Sequence, residues 1–379
     1  MASPQAFDIA IVGGGMAGAS AACFLAAERR VVILERESRP GYHSTGRSAA
    51  LYTQAYGNAA IRALTVASKP FYDAPPPGFA ENRLLSPRGA LFIARPEQVS
   101  RLEAETEAAQ RFAPRVRMLE GAEAVRLCPA LRPDYIAAGS YEPDAMDMDV
   151  DAILQGFLRG ARHRGAVVQT DAEVLDLTET GSGWRIDTRA GAFEASVVVN
   201  AAGAWASPLA EMAGAQPIDI QPKRRTAFLF RPPAIPRLMN APMTCDTDEE
   251  FYFKPDAGLM LGSPADETPL PPQDVQPEEW DIAVGADRIQ QATTLKVERI
   301  ESKWAGLRSF AEDKTPVVGF DGQAPGFFWL AGQGGYGIQT APAMGALAAA
   351  LVLGKEIDPA LAGMGFTAAT TSPERFGST

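Results

Sequence analysis

Three glycines near the start of the chain have the spacing that lets a peptide backbone approach a phosphate group closely. Gly13, Gly15 and Gly18 form a GxGxxG pattern that follows the β-branched run 8–12 and precedes a helix expected at 19–28. The first glycine of such a pattern allows a tight turn, the second admits a pyrophosphate, and the third lets the helix pack on the strand. The free N–H groups at the start of the helix then face the phosphates. This segment predicts a dinucleotide site.

A carboxylate follows at the distance expected for a contact with the ribose. The second apolar run, 31–34, ends in Glu35, which lies 22 residues after Gly13. Its oxygens can accept hydrogen bonds from the adenosine ribose, and its charge would repel the 2′-phosphate of NADP. This spacing does not separate NAD from FAD.

Two further segments favour FAD. The small, polar and cationic stretch 41–50 offers hydroxyl and N–H groups that can bind a pyrophosphate and reach an isoalloxazine ring. Near the other end, the apolar run 326–331 leads into the glycine loop 332–337 and a helix expected from Ile338. The positive end of a helix suits the negative charge of a reduced flavin. The segment 195–205 is expected to support the adenosine half, although each of these stretches alone also fits an ordinary turn.

Composition limits the partners of the protein. The 379 residues include 35 Lys and Arg against 46 Asp and Glu, a net charge of −11, which opposes loose binding of nucleic acid or anionic lipid. An acidic substrate must then be held by local arginines. The three cysteines are far apart in the sequence and form no CxxC pair, so we expect neither a disulfide framework nor a metal site. This cysteine usage favours a reducing compartment, and we expect a cytoplasmic location. No apolar run is long enough for a transmembrane helix, and contact with the inner face of a membrane stays open.

Five specific strings occur in chain order: PGYHSTGRSAA at 40–50, QPKRR at 221–225, FY at 251–252, WAGLR at 304–308 and QGGYGIQ at 333–339. Together they resemble the D-amino-acid oxidase and glycine/sarcosine oxidase superfamily of FAD enzymes. Within it, they resemble more closely the D-amino-acid dehydrogenases typified by D-arginine dehydrogenase. The resemblance spans nearly the whole chain.

The resemblance implies an α/β fold. A Rossmann-like FAD-binding domain would carry an inserted α+β substrate domain with a mostly antiparallel sheet. Residues 1–65, 141–215 and 305–379 would form the FAD-binding domain, and residues 66–140 and 216–304 the substrate domain. The flavin would lie between the two domains.

The resemblance also implies a set of catalytic residues: Arg225 and Arg308 as a clamp on the substrate carboxylate, Tyr252 as a hydrogen-bond partner of that carboxylate, Tyr56 on a loop that closes the site, and the Gly335 carbonyl and Gln339 near the amine. A guanidinium fork matches a carboxylate in geometry and stays charged. Arg224 and Arg225 are neighbours in a predicted strand, so only one of them can face the cavity, and the resemblance selects Arg225. Without the resemblance, the arginines also fit exposed strand positions and the tyrosines fit ordinary packing.

The expected FAD-binding residues come from the glycine motifs, the flavin loop and the strand ends. They are Gly13, Gly15, Ala17, Gly18, Glu35, Arg36, Ser44, Thr45, Gly46, Arg47, Ser48, Ala49, Ala50, Leu51, Val174, Gly334, Gly335, Tyr336, Gly337, Ile338 and Gln339. The second glycine loop contains no cysteine that could attach the flavin, so we expect non-covalent FAD. His43 is expected to make a loop contact near the cofactor.

The sequence departs from the D-arginine enzyme where substrate side chains are distinguished. That enzyme has a carboxylate in the segment where this chain has Ala90, and it has a histidine where this chain has Leu51. Both differences replace a polar group with an apolar one. A neutral or apolar substrate side chain is therefore expected.

The expected reaction is the oxidative deamination of a D-amino acid. Hydride would pass from Cα to flavin N5, and the imino acid would hydrolyse to a 2-oxo acid and ammonia without an obligatory side-chain base. Two alternatives stay open: oxidation of sarcosine or another N-alkyl amino acid, and a non-catalytic flavin subunit that passes electrons within a complex. The sequence does not distinguish oxygen, a quinone or a carrier protein as the electron acceptor.

Overall fold

The computed structural model describes residues 4–377. Residues 1–3 and 378–379, which the predicted domain limits include, lie outside the described part. The strands in that part are β1 (Gln5–Val12), β2 (Val31–Leu34), β3 (Leu51–Tyr52), β4 (Leu85–Pro87), β5 (Ala90–Ala94), β6 (Arg117–Glu120), β7 (Ala138–Glu142), β8 (Met146–Met148), β9 (Val167–Gln169), β10 (Val174–Thr180), β11 (Gly183–Thr188), β12 (Gly191–Asn200), β13 (Gln221–Phe230), β14 (Met243–Asp246), β15 (Tyr252–Asp256), β16 (Leu259–Ser263), β17 (Ile300–Phe310), β18 (Val317–Phe320) and β19 (Phe327–Ala331). The α-helices are α1 (Met16–Leu25), α2 (Ala59–Asp73), α3 (Val99–Gln110), α4 (Gly121–Leu127), α5 (Val150–His163), α6 (Ala206–Met212), α7 (Glu279–Ala292), α8 (Ala341–Val352), α9 (Pro359–Gly363) and α10 (Ala368–Thr371).

The first sheet has a parallel centre in the order β9-β2-β1-β12-β19. The strand β18 adds antiparallel to β19, and the hairpin β10-β11 pairs with the first half of β12. Both faces of this centre are covered, which is why β2 and β19 consist of apolar residues that are all buried. Helices α1, α5 and α8 pack together on one face.

The second sheet has eight strands in the order β17-β13-β16-β15-β14-β5-β7-β6. Only the β14–β5 pair is parallel within this order, so the prediction of a mostly antiparallel second sheet is confirmed. Its longest pairing joins β13 and β17, the strands that carry Arg225 and Arg308. A small third sheet has the strand order β3-β8-β4. Its strand β3 directly precedes the segment that carries Tyr56. The overall α/β class is also as predicted.

The expected helix limits need correction at both glycine loops. Helix α1 covers Met16–Leu25, so it begins and ends three residues before the expected 19–28, because the helix starts directly after Gly15. Helix α8 begins at Ala341, and turns occupy the positions after Ile338 where a helix was expected. Pro342 explains this start, since proline lacks an N–H group and fits only the first turn of a helix.

Two of the proposed domain limits fall inside elements of secondary structure. The limit at residue 65 falls inside α2, and the limit at residue 305 falls inside β17. The division into a FAD-binding and a substrate domain stays a proposal. No helix within residues 4–377 combines the length and the apolar character needed to cross a bilayer.

Candidate active site

The main cavity of the molecule opens where three parallel strands of the first sheet end. Its lining includes Gly13 after β1, Glu35 after β2 and Ala201 after β12. The carboxyl ends of parallel strands are the usual ligand-binding edge of such a sheet. The second sheet closes the other side with residues of β13, β15 and β17.

The Glu35 carboxylate lies at one end of this cavity and is almost fully buried. Its Oε2 accepts a hydrogen bond from the Gly14 N–H at 2.8 Å, and its Oε1 accepts one from the Glu37 N–H at 2.9 Å. Burial raises the pKa of Glu35 and these two hydrogen bonds oppose the shift. Nearby, the Arg36 guanidinium stacks over the Trp205 ring at 4.6 Å, and His43 Nε2 lies 2.9 Å from a carboxylate oxygen of Glu37.

The first glycine loop lies so close to the turn after β12 that no side chain fits at Gly13. Gly13 has φ +108°, and a Cβ there would lie 2.4 Å from the Ala201 carbonyl oxygen. A Cβ at Gly203 would meet no atom within 4 Å, so this part of the lining is open. No side chain caps the start of α1, although the Met16 N–H donates to Thr45 Oγ1 at 3.1 Å. This backbone cradle fits a pyrophosphate.

The Arg47 side chain anchors the polar loop 41–50 to the second sheet. Its Nη1 donates to the carbonyl oxygens of Val275 and Ala305 at 3.0 and 3.1 Å, and its Nη2 pairs with Asp274. The Trp304 Nε1–H donates in turn to the Arg47 carbonyl at 2.9 Å. The Arg47 side chain lines the main cavity, and its charge is already paired with a carboxylate of the protein.

The second glycine loop packs tightly against β17 at the other end of the main cavity. The Gly334 N–H donates to the Ser309 carbonyl at 2.9 Å, and a Cβ at Gly334 would lie 2.2 Å from the Phe310 ring. A Cβ at Gly335 would lie 2.8 Å from Arg308 Nη1. Only glycine therefore lets this backbone lie directly over the arginine.

A side cavity adjoins the main cavity at this end. It is much smaller, about 70 against about 390 Å³, and shares Ser48, Ala49 and Gly335 among its lining residues. All the predicted catalytic residues line it, namely Tyr56, Arg225, Tyr252, Arg308, Gly335 and Gln339. These residues come from five separate segments of the chain, and the fold brings them together.

The two arginines of the side cavity differ in the protein groups that compensate their positive charge. Arg225 Nη2 forms a salt bridge of 3.2 Å with Glu267, while its buried Nε has no protein partner. Burial opposes the charge of Arg308, but neighbouring tyrosines and Glu249 outweigh this effect and raise its pKa. Arginine side chains keep their charge in proteins, so two guanidinium groups face this cavity as cations and favour an anionic ligand.

The expected FAD-binding residues divide between the two cavities. Those that line the main cavity are Gly13, Gly15, Ala17, Glu35, Arg36, Ser44, Thr45, Arg47, Ser48, Ala49, Val174, Gly334, Gly335, Gly337 and Ile338. Ala50, Leu51 and Gln339 line the side cavity instead, and Gly18, Gly46 and Tyr336 line neither. Gly18 lies against the Gly13 carbonyl, where a Cβ would stand 1.9 Å from its oxygen, and Tyr336 packs on Tyr56.

Several side-cavity residues were not anticipated from the sequence, and Glu249 is the most consequential. It adopts φ +56° in an acidic turn, lines the side cavity and accepts a hydrogen bond from the Tyr56 hydroxyl at 3.2 Å. Its acidic surroundings in the sequence resemble a solvated surface turn, so no pattern distinguishes it. The other unanticipated residues of the wall are Thr53, Phe92, Met243, Cys245, Phe251 and Ala265.

Comparison with known proteins assigns the chain to a family. A sequence model for the family DAO, described as FAD dependent oxidoreductase, matches residues 8–351. The chain belongs to this DAO family. Its cofactor is FAD, and the main cavity fits this group because one continuous lining includes Glu35, the glycine cradle and the Gly334 loop.

Similar DAO-family proteins match this chain over nearly its whole length. Glycine oxidase of Geobacillus kaustophilus (strain HTA426) is 28% identical over 372 residues, which cover 92% of this chain and 94% of that protein. The crystal structure of glycine oxidase from Geobacillus kaustophilus has a TM-score of 0.83 at 25% identity and covers 97% of this chain and 98% of that one. L-Proline dehydrogenase from P. horikoshii has a TM-score of 0.82 at 24% identity, covering 93% and 95%, which shows a shared fold.

Replacement of Glu35 tests the adenosine end of the main cavity. We expect Glu35→Ala to weaken FAD binding by about tenfold or more, since hydrogen bonds to a charged group contribute about 1.5–3 kcal/mol. The measurement is the Kd of FAD by fluorescence titration of the apoprotein. Glu179→Gln, on the exposed face of β10, serves as the control. An unchanged Kd in Glu35→Ala would remove Glu35 from the site.

Proposed function

We propose that this DAO-family enzyme oxidises D-amino acids with neutral or apolar side chains to imino acids, which hydrolyse to 2-oxo acids and ammonia. One observation carries the proposal: the buried Arg225, the half-buried Arg308 and two tyrosines line a small cavity that adjoins the proposed flavin end of the main cavity. A carboxylate is the anion that two guanidinium forks suit best in a cavity of this size. The side cavity is thus suited to an amino acid.

The clamp is rigid because its two arginines come from paired strands. Arg225 on β13 lies opposite Gly306 on β17, two residues from Arg308. Such neighbours in an antiparallel pair lie within reach of one another's long side chains. The Glu267 carboxylate forms a salt bridge with the Arg225 guanidinium, and the Gly335 backbone packs against the Arg308 guanidinium. A substrate carboxylate would therefore meet two oriented donors.

In the proposed reaction the protein orients the substrate and keeps water away. Bound FAD supplies the hydride acceptor. The arginine clamp would hold the carboxylate, and the Gly335 carbonyl and Gln339 would hold the amine, so that Cα is fixed between them. Burial raises the pKa of both Tyr56 and Cys245, so these groups stay protonated and neither accepts the amine proton.

The wall of the side cavity favours a neutral substrate side chain. Leu51, Ala90 and Met243 contribute apolar surface, and Glu249 is already engaged by the Tyr56 hydroxyl. A cationic side chain would have to share the Glu249 carboxylate with Tyr56 and with the nearby charge of Arg308, and elsewhere on this wall it would lose its hydration without a partner, which costs several kcal/mol. Neutral side chains avoid this cost.

A second candidate is the oxidation of glycine, sarcosine or another N-alkyl amino acid. The small volume of the side cavity and the similarity to a glycine oxidase favour it. The same arginine clamp would hold the carboxylate of such a substrate. These substrates have no side chain on Cα or carry a substituent on nitrogen, and this difference distinguishes them from the D-amino acids of the first proposal. The two arginines count against a non-catalytic flavin subunit, because such a protein would not need a carboxylate site.

Replacement of each arginine tests the clamp. We expect Arg225→Met and Arg308→Met to raise the KM for amino acids by about 100-fold or more, because each removes a charge-assisted pair in a dry site. The absorption spectrum of bound FAD should stay near normal. Lys303→Met, which removes an exposed cation from the other end of β17, is the control. Wild-type kinetics in either arginine variant would exclude that residue as a ligand.

A substrate panel tests the side-chain preference. With an artificial electron acceptor, kcat/KM for D-Leu, D-Met or D-Phe should exceed that for D-Arg by about tenfold or more, given the cost of an unpaired buried cation. The corresponding L-amino acids should be inactive. A higher kcat/KM for D-Arg would contradict the assigned pocket, and a higher value for sarcosine would favour the second candidate.

A further inference from the structure

The segment that carries Tyr56 is held from outside the side cavity. Residues 53–58, here called the Tyr56 loop, connect β3 to α2. Thr53 and Tyr56 line the side cavity, so the position of this loop determines the shape of its wall. The loop follows the small third sheet and contributes no strand of its own.

Glu142 lies behind this loop, at the end of β7 in the second sheet. Its side chain is 3% exposed. Its Oε2 accepts hydrogen bonds from Thr53 Oγ1 at 2.5 Å and from the Ala55 N–H at 3.4 Å, and its Oε1 accepts one from the Gln54 N–H at 2.8 Å. One buried carboxylate therefore binds three consecutive residues of the loop.

The three donors suit an ionised carboxylate: burial raises the pKa of Glu142, and the hydrogen bonds from Thr53, Gln54 and Ala55 oppose that shift. A carboxylate has only acceptor sites and can serve two backbone N–H groups and a hydroxyl at once. A glutamine amide would place its own N–H₂ group against at least one of these donors. Buried backbone N–H groups that lose their acceptor are costly, so the loop would move to find other partners.

The other attachments of the loop are spread along its length, and they include the hydrogen bond from Tyr56 to Glu249 and the packing of Tyr56 on Tyr336. Gln339 Oε1 accepts from the Thr53 N–H at 3.4 Å, which is long for a hydrogen bond. The Ala55 carbonyl accepts from Arg62 Nε at 3.0 Å, and Asn58 caps the start of α2. Glu142 differs from these partners because it binds two consecutive backbone N–H groups of the loop, those of Gln54 and Ala55, from the second sheet. In that sheet Glu142 pairs with Ala90, a residue of the side-cavity wall.

We propose that Glu142 is a positioning residue, whose carboxylate fixes residues 53–55 and thereby sets the position of Tyr56 against the substrate. Glu142 itself lies outside both cavity linings, so it would act on the substrate only through the loop. The effect on the substrate rests on the proposed function, while the attachment of the loop does not.

Hydrogen exchange of the FAD-loaded protein tests the attachment. In Glu142→Gln, amides in a peptide that spans residues 53–58 should exchange about tenfold faster or more, with unchanged exchange in the first sheet. Thr53→Val removes one of the three donors without altering the buried acid and should give a smaller change in the same direction. Glu103→Gln, on the exposed face of α3, should show no change. Wild-type exchange at 53–58 in Glu142→Gln would overturn the proposal.

A double-mutant cycle tests whether Glu142 acts through Tyr56. Glu142→Gln should raise the apparent Kd of a D-amino acid about tenfold in anaerobic flavin reduction, with a smaller effect on the limiting rate. In a Tyr56→Phe background the same replacement should add little, because the hydroxyl that it misplaces is already absent. Additive effects would contradict the positioning role. If no amino acid reduces the wild-type flavin, the proposed function fails, and the exchange experiment still decides the role of Glu142 in the loop.

Discussion

Two positive charges in a space that largely excludes water impose the main constraint on this molecule. Arg225 and Arg308 are held at the junction of the two cavities, where a guanidinium group without an anion is unfavourable. Glu267 satisfies part of Arg225, and tyrosine hydroxyls surround Arg308. The fold must keep both groups in place while leaving room for an anion. We interpret the side cavity as the result.

The two sheets meet this constraint with different kinds of structure. The first sheet presents mainly backbone, through glycine turns whose N–H groups could bind a pyrophosphate, together with the charged side chains of Glu35, Arg36 and Glu173. The second sheet presents side chains, because its long antiparallel pair β13–β17 can hold arginines at fixed spacing. A dinucleotide needs the former and a small acid the latter. The proposed flavin end of the main cavity lies where the two surfaces meet.

Local patterns allowed much of this arrangement to be predicted from the sequence. The strand, glycine turn and acid around Gly13 and Glu35 depend on contacts between near neighbours, and the structure forms them as predicted. The limits of α1 and α8 were wrong by about one turn, since the glycine pattern does not specify where the helix begins. The resemblance supplied the set of residues that the fold gathers in the side cavity, although their chemical roles remain proposals.

Long-range contacts of ordinary residue types could not be predicted in the same way. Glu249 and Glu142 lie in polar stretches without a motif, and both become informative only through partners distant in sequence, Tyr56 and the loop 53–55. Arg47 shows the reverse case. It lies in a segment that was expected to bind the pyrophosphate of FAD. Its guanidinium N–H groups instead donate to the carbonyl oxygens of Val275 and Ala305 and to the Asp274 carboxylate. A residue's type suggested its chemistry, and only the fold showed which partner it meets.

The most direct test of the account is anaerobic reduction of the purified, FAD-loaded protein by paired enantiomers of one neutral amino acid. The absorbance of oxidised flavin should disappear on addition of D-Met and persist with L-Met, and 2-oxo acid should form in proportion to the flavin reduced. Flavin that stays oxidised with D-Met and other small amino acids would contradict the account, because the arginine-lined cavity would then not present an amino-acid Cα to the cofactor.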